Sequence, residues 1–136
     1  MTVRKTTLIW DDGINRLCFI PVEESSQYHY LDGVPCISFD VSYENSKFKG
    51  YDRFTLFDKS YADFLKELQN AKYSLAGKFR MTDVGADTDA YIDFSVSHRG
   101  VDVAGCLGAS FSDFSLKFSF HADQSILRMI ENCLSI

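Results

Sequence analysis

The side chains best suited to proton transfer or metal ligation are few: His29, His98 and His121, and Cys18, Cys36, Cys106 and Cys133, spread over 136 residues. No two histidines stand at the i,i+4 spacing that aims both rings at one ion, and no Cys-x-x-Cys pair occurs, so neither zinc nor a redox dithiol is indicated. His121 lies two residues before Asp123 at an expected strand-to-helix junction. An enzyme would have to draw on His98, His121 and Asp123, whereas a hydrogen bond near a helix cap is the simpler role for the last two. There is no GxSxG elbow and no phosphate-binding glycine loop; Gly105-Cys106-Leu107-Gly108 suits a β-bulge or a close backbone approach instead.

Carboxylates offer the other candidate chemistry. Asp83, Asp87, Asp89 and Asp93 gather around Gly85 in the manner of a calcium loop, but such a loop wants a carboxylate third, Gly sixth and Glu twelfth, where Gly85, Thr88 and Phe94 stand. No metal and no cofactor is expected. The run reads as a solvated turn or as a negatively charged binding patch. A formal charge of −5 and a pI near 5.0 argue against nucleic acid, which clustered Lys and Arg would bind, and favour a basic partner. Asp83, Asp87 and Asp89, with Asp11, Asp12 and Tyr30 as outliers, are the candidate contact residues. Tyr30 belongs to the polar segment from Glu23 to Gly33, whose aromatics serve either an interface or the packing of a loop onto a sheet.

These residues need a scaffold, and the composition supplies one. With 46% hydrophobic and 15% aromatic residues, the chain suits a single domain, 1–136, burying roughly two-thirds of its unfolded surface. No apolar run approaches a membrane span, and Leu8-Ile9-Trp10 is too short for the core of a signal peptide. The expected place is the cytosol, where the four thiols stay unpaired.

Apolar alternation predicts a hairpin around Asp11-Asp12-Gly13, a loop from Glu23 to Gly33, and strands at Cys36–Tyr43 and about Tyr51–Phe57. Tyr61, Phe64, Leu65 and Leu68 fall on one helical stripe, predicting a central helix over about 60–73 capped by Asp58 or Ser60. Further strands follow at Leu75–Met81, Ala90–Val96, Val101–Leu107 and Phe114–Phe120, with Arg99-Gly100 as a turn. Asp123 then caps a closing helix over about 123–135, striped by Ile126, Leu127, Ile130, Cys133 and Leu134. Strands in runs with helices between them define an α+β fold, mainly antiparallel, of about seven to eight strands and two amphipathic helices.

From about Phe57 onward a set of spaced residues recurs in a known family. They are Phe64-x-x-x-Leu68, Gly77 ahead of a strand, Arg99-Gly100-Val101-x-Val103-x-Gly105, and Leu116-x-Phe118-x-Phe120-x-x-Asp123-Gln124-Ser125-x-Leu127. In this the chain resembles the small bacterial proteins related to the WapI immunity protein. The family pattern usually reads Gly-His-Val at the hairpin, whereas here Gly100 leads directly to Val101 and His98 precedes. The resemblance implies a non-enzymatic protein that binds a cognate toxin domain in the cytosol and blocks it. An acidic domain suits a basic toxin, such as a nuclease, because complementary charge speeds association. The alternative is a small-molecule or peptide binding module without catalysis.

Overall fold

The structure, a computed structural model, describes residues 7–21, 28–31, 33–83, 90–108 and 115–134. Among these the order is β1 (Leu8–Asp11), β2 (Arg16–Pro21), β3 (Tyr28–Leu31), β4 (Val34–Glu44), β5 (Lys49–Phe57), α1 (Asp58–Ser74), β6 (Gly77–Thr82), β7 (Tyr91–Ser97), β8 (Gly100–Leu107), β9 (Leu116–Ala122) and α2 (Ser125–Leu134). The fold is α+β, and every strand pairing is antiparallel. The strands form a five-stranded sheet around β4 and a four-stranded meander, β6-β7-β8-β9.

β4 is the hub of the first sheet. β5 pairs with it from Cys36↔Phe57 to Glu44↔Lys49, while β2 and β3 share the opposite edge in tandem. Pro21 stands opposite Phe39 and Tyr28 opposite Ile37, so seven positions on one side match two on the other, and β3 resumes the pairing five residues out of register. This corrects the loop expected from Glu23 to Gly33. Tyr28-His29-Tyr30-Leu31 are strand-prone residues, and they pair the stretch of β4 that β2 does not reach.

Helix boundaries are set by chain geometry more than by capping residues. β5 runs straight into α1, so the N-cap is Phe57 in extended conformation with no side-chain cap bond. Neither Asp58 nor Ser60 caps; Asp58 sits in the first turn, where its charge complements the helix dipole. At the other end Leu75, at φ 55°, takes the left-handed cap and donates its N–H to the Ala71 carbonyl at 2.8 Å, so β6 begins at Gly77 and not at Leu75. Asp123 does open α2 as expected, its Oδ1 accepting the Ser125 N–H at 2.9 Å.

The strand ends of the second sheet meet β5 in order. Leu116, opening β9, lies so close to Gly50 that a Cβ there would be 2.4 Å from the leucine Cδ2. Beyond β8, the Gly108 N–H donates to Asp52 Oδ2 at 2.8 Å. Beyond β6, Asp83 Oδ1 accepts the Thr55 N–H at 2.9 Å. Five residues of β5 rise about 17 Å, and three strand spacings amount to about 14 Å, so the second sheet runs across β5 and not along it. The free edge of β5 is thereby closed by carboxylate bonds and packing.

One core fills the angle between the sheets. Tyr43 of β4 stacks on Phe118 at 4.2 Å and on Phe120 at 6.0 Å. From α1, Phe64 meets Phe79 and Phe94 edge-on at 5.3 and 6.2 Å. α2 buries Ile126, Leu127, Ile130, Cys133 and Leu134, its Cys133 thiol donating to the Phe19 carbonyl at 3.1 Å. The Tyr61 hydroxyl ties α1 to the Leu134 carbonyl. None of the four cysteines is in a disulfide, and three are buried. Among the described residues no helix is long and apolar enough to cross a membrane.

Candidate functional site

The described acidic candidates are engaged in the fold. Asp83 is half-buried, and its carboxylate is spent on the Thr55 N–H; Asp87 and Asp89 lie outside the described residues. Asp93 points from the outer face of the second sheet and holds Arg80 through two bonds, 2.5 Å to Nε and 2.8 Å to Nη2. The same guanidinium lies over the Tyr91 ring, 4.5 Å from its centroid. Asp93 and Arg80 are thus paired with each other on this face. An open groove of about 520 Å3 beside them is lined by Glu67, Lys78, Arg80, Asp93 and Ser95 among others, and its Arg80 and Asp93 are engaged in that pair.

The histidine candidate is equally committed. His121 Nδ1 lies 2.8 Å from Asp102 Oδ1 and Nε2 lies 3.0 Å from the Arg99 carbonyl. A carboxylate and a carbonyl only accept, so both ring nitrogens donate and the ring is an imidazolium. The Asp102 bond first, and the Arg99 carbonyl second, raise its pKa above the ordinary histidine value. In its protonated state the ring has no lone pair to take a proton, and it regains one only as pH rises through that raised pKa. Asp123 is held below the usual carboxylate range by the Ser125 hydroxyl and then its N–H, while His98 sits exposed in the β7–β8 turn. Among the described residues no group of three or more His, Cys, Asp or Glu could hold a metal.

Asp11 and Asp12 build a turn at the tip of the β1–β2 hairpin. Asp12 Oδ1 accepts the N–H groups of Ile14 at 2.8 Å and Asn15 at 2.7 Å. Its Oδ2 accepts the Trp10 indole N–H at 3.0 Å, and Asp11 Oδ1 accepts the Gly13 N–H at 3.0 Å. The Asn15 N–H, then the Trp10 and Ile14 donors, hold the Asp12 carboxyl far below the usual range.

The β4–β5 tip repeats this device. Asn45 Oδ1 accepts the N–H groups of Lys47 and Phe48, both at 2.9 Å. Each four-residue turn is closed by its first N–H and last carbonyl, Asp12 to Asn15 at 3.2 Å and Asn45 to Phe48 at 2.9 Å. The tips are joined through Tyr43, whose hydroxyl donates to Asn15 Oδ1 at 2.5 Å and accepts from Asn45 Nδ2 at 3.4 Å. Each carries a large exposed apolar side chain, Ile14 at 69% and Phe48 at 60%, and Tyr51 on the adjoining strand is 56% exposed.

Of the described sequence candidates, Asp11 and Asp12 belong to this end of the molecule; Asp83 is elsewhere, at the far half of β5, and of Tyr30 only the backbone, in β3, is described. Sequence reasoning missed Ile14 and Phe48. The signal available was the paired spacing, Asp12-x-x-Asn15 and Asn45-x-x-Phe48, each an Asx turn that carries an apolar residue at its third or fourth position. Compared with protein-family models, with curated proteins and with solved structures, the chain finds no match.

Proposed function

We propose that this chain is an immunity protein: a non-catalytic cytosolic protein that binds a cognate bacterial toxin domain one-to-one and blocks it. The observation that carries this reading is the commitment of its reactive side chains to the fold. His121 donates from both nitrogens, and Asp12, Asp52, Asp83 and Asp93 each hold a backbone N–H or a guanidinium. What the surface offers a partner is shape, apolar side chains and a net charge of −5, and that charge suits a basic partner such as a nuclease domain. The likeness of the residues from Phe57 onward to WapI-related immunity proteins points the same way.

The test is co-expression with the toxic domain encoded beside this chain. Growth should be restored and the two proteins should co-purify. No toxin reading frame beside the gene, or no rescue and no complex, would defeat the reading.

A further inference from the structure

We infer that the paired tips of the β1–β2 and β4–β5 hairpins are the toxin-contacting surface, with Ile14 and Phe48 seated in an apolar cleft of that protein. This rests on the immunity reading and adds which surface binds and what chemistry it meets.

Three observations converge. First, Ile14 and Phe48 are among the most exposed large apolar residues of the described chain, and the two tips that carry them lie at the same end of one sheet. Second, that end is rigid before binding. Each turn is fixed by two side-chain-to-backbone bonds and one backbone bond, and Tyr43, 2% exposed and stacked on Phe118, anchors both to the core. Apolar groups presented on a preorganised backbone lose little freedom on docking, which is what makes interface anchors effective. Third, the rim is charge-balanced: Asp11, Asp12 and Glu44 stand against Arg16, Lys47 and Lys49, with Arg16 and Glu44 3.7 Å apart. The outer face of the second sheet, the rival surface, pairs Arg80 with Asp93 and His121 with Asp102 and presents no comparable apolar cluster.

A balanced rim around apolar anchors gives an interface whose affinity depends little on salt, whereas an acidic patch would lose affinity as salt screens it. Net acidity then acts on the association rate, and the tips on the dissociation rate.

The experiment measures binding kinetics of the purified toxic domain encoded beside this chain to wild type, Ile14→Ser/Phe48→Ser, each single variant, and Tyr73→Ser. Tyr73, 95% exposed on α1, is a control for exposed aromatics in general. Melting curves establish that each variant is folded. The double variant should lose about 100-fold in affinity, about 2.8 kcal/mol at 1.4 kcal/mol per tenfold, mainly through faster dissociation. Tyr73→Ser should bind as wild type, and wild-type dissociation should change little with salt. A folded double variant that binds as wild type, or a loss confined to Tyr73→Ser, overturns the surface and leaves the immunity reading standing. Wild type that neither binds nor protects defeats the immunity reading itself.

Discussion

Replacing Tyr43 by Phe separates the hydroxyl that joins the hairpin tips from the ring that packs the core. The ring would keep its place on Phe118 at 4.2 Å, so no cavity opens. The variant loses the 2.5 Å bond to Asn15 and the longer, weaker 3.4 Å bond from Asn45. A net intramolecular hydrogen bond contributes about 0.5–1.5 kcal/mol, and half-buried Asn15 can turn to water, so the expected loss is about 1 kcal/mol. At about 2.1 cal/mol/K per residue, unfolding this domain carries roughly 0.29 kcal/mol/K, which makes the shift in Tm about 3–4 °C. Tyr43→Ala, which also removes the ring, should cost about 3–5 kcal/mol. Calorimetry reads the first effect. Hydrogen exchange reads the local one, with faster exchange at Ile14, Asn15, Lys47 and Phe48 in Tyr43→Phe. A Tm within 1 °C of wild type together with unchanged exchange at the four amides would refute the coupling of the tips through Tyr43.

His121 gives a pH signature. Its folded pKa is raised, so its contribution is complete below the unfolded histidine value of about 6.5 and is lost as pH rises through the folded value. The Tm gap between wild type and His121→Gln should therefore narrow from about pH 5.5 to about pH 8.5; a constant gap would contradict the imidazolium assignment. Gly100→Ala should destabilise by about 1–3 kcal/mol, because its Cβ would lie 2.4 Å from the Ala122 carbonyl oxygen and 2.7 Å from His121 Nε2 at φ +128°; a denaturant midpoint equal to wild type would be the contrary result. Asp83→Ala should cost about 1–3 kcal/mol by withdrawing the acceptor from the Thr55 N–H, lowering the urea midpoint without changing the slope. A silent Asp83→Ala would mean that the edge of β5 does not depend on it.

Period-2 alternation made β7 readable, because Ile92, Phe94 and Val96 all face one core. The stripe Tyr61, Phe64, Leu68 made α1 readable for the same reason at period 3.6. Asp123 was legible as a cap because its bond to Ser125 is local. What was not legible depended on distant partners. Four residues make β3 a strand only because the edge of β4 lies beside them. Asp83 reads as one more surface acid until β5 brings Thr55 to it across 28 positions. Ser60 looked like a helix cap, yet the helix starts two residues earlier, directly from β5. Asp11 and Asp12 announced a turn, but nothing local says that Ile14 stays exposed, or that a second tip carrying Phe48 is tied beside it through Tyr43.

The central claim is a stoichiometric block made through the hairpin tips, and isothermal titration of the adjacent toxic domain with this protein tests it most directly. The expected result is one-to-one binding that abolishes the toxin's activity at equivalence, with both binding and inhibition lost in Ile14→Ser/Phe48→Ser. Inhibition that continues at a small fraction of equivalence would show turnover, and a tip variant that still inhibits at one-to-one would place the contact elsewhere; either outcome would contradict the claim.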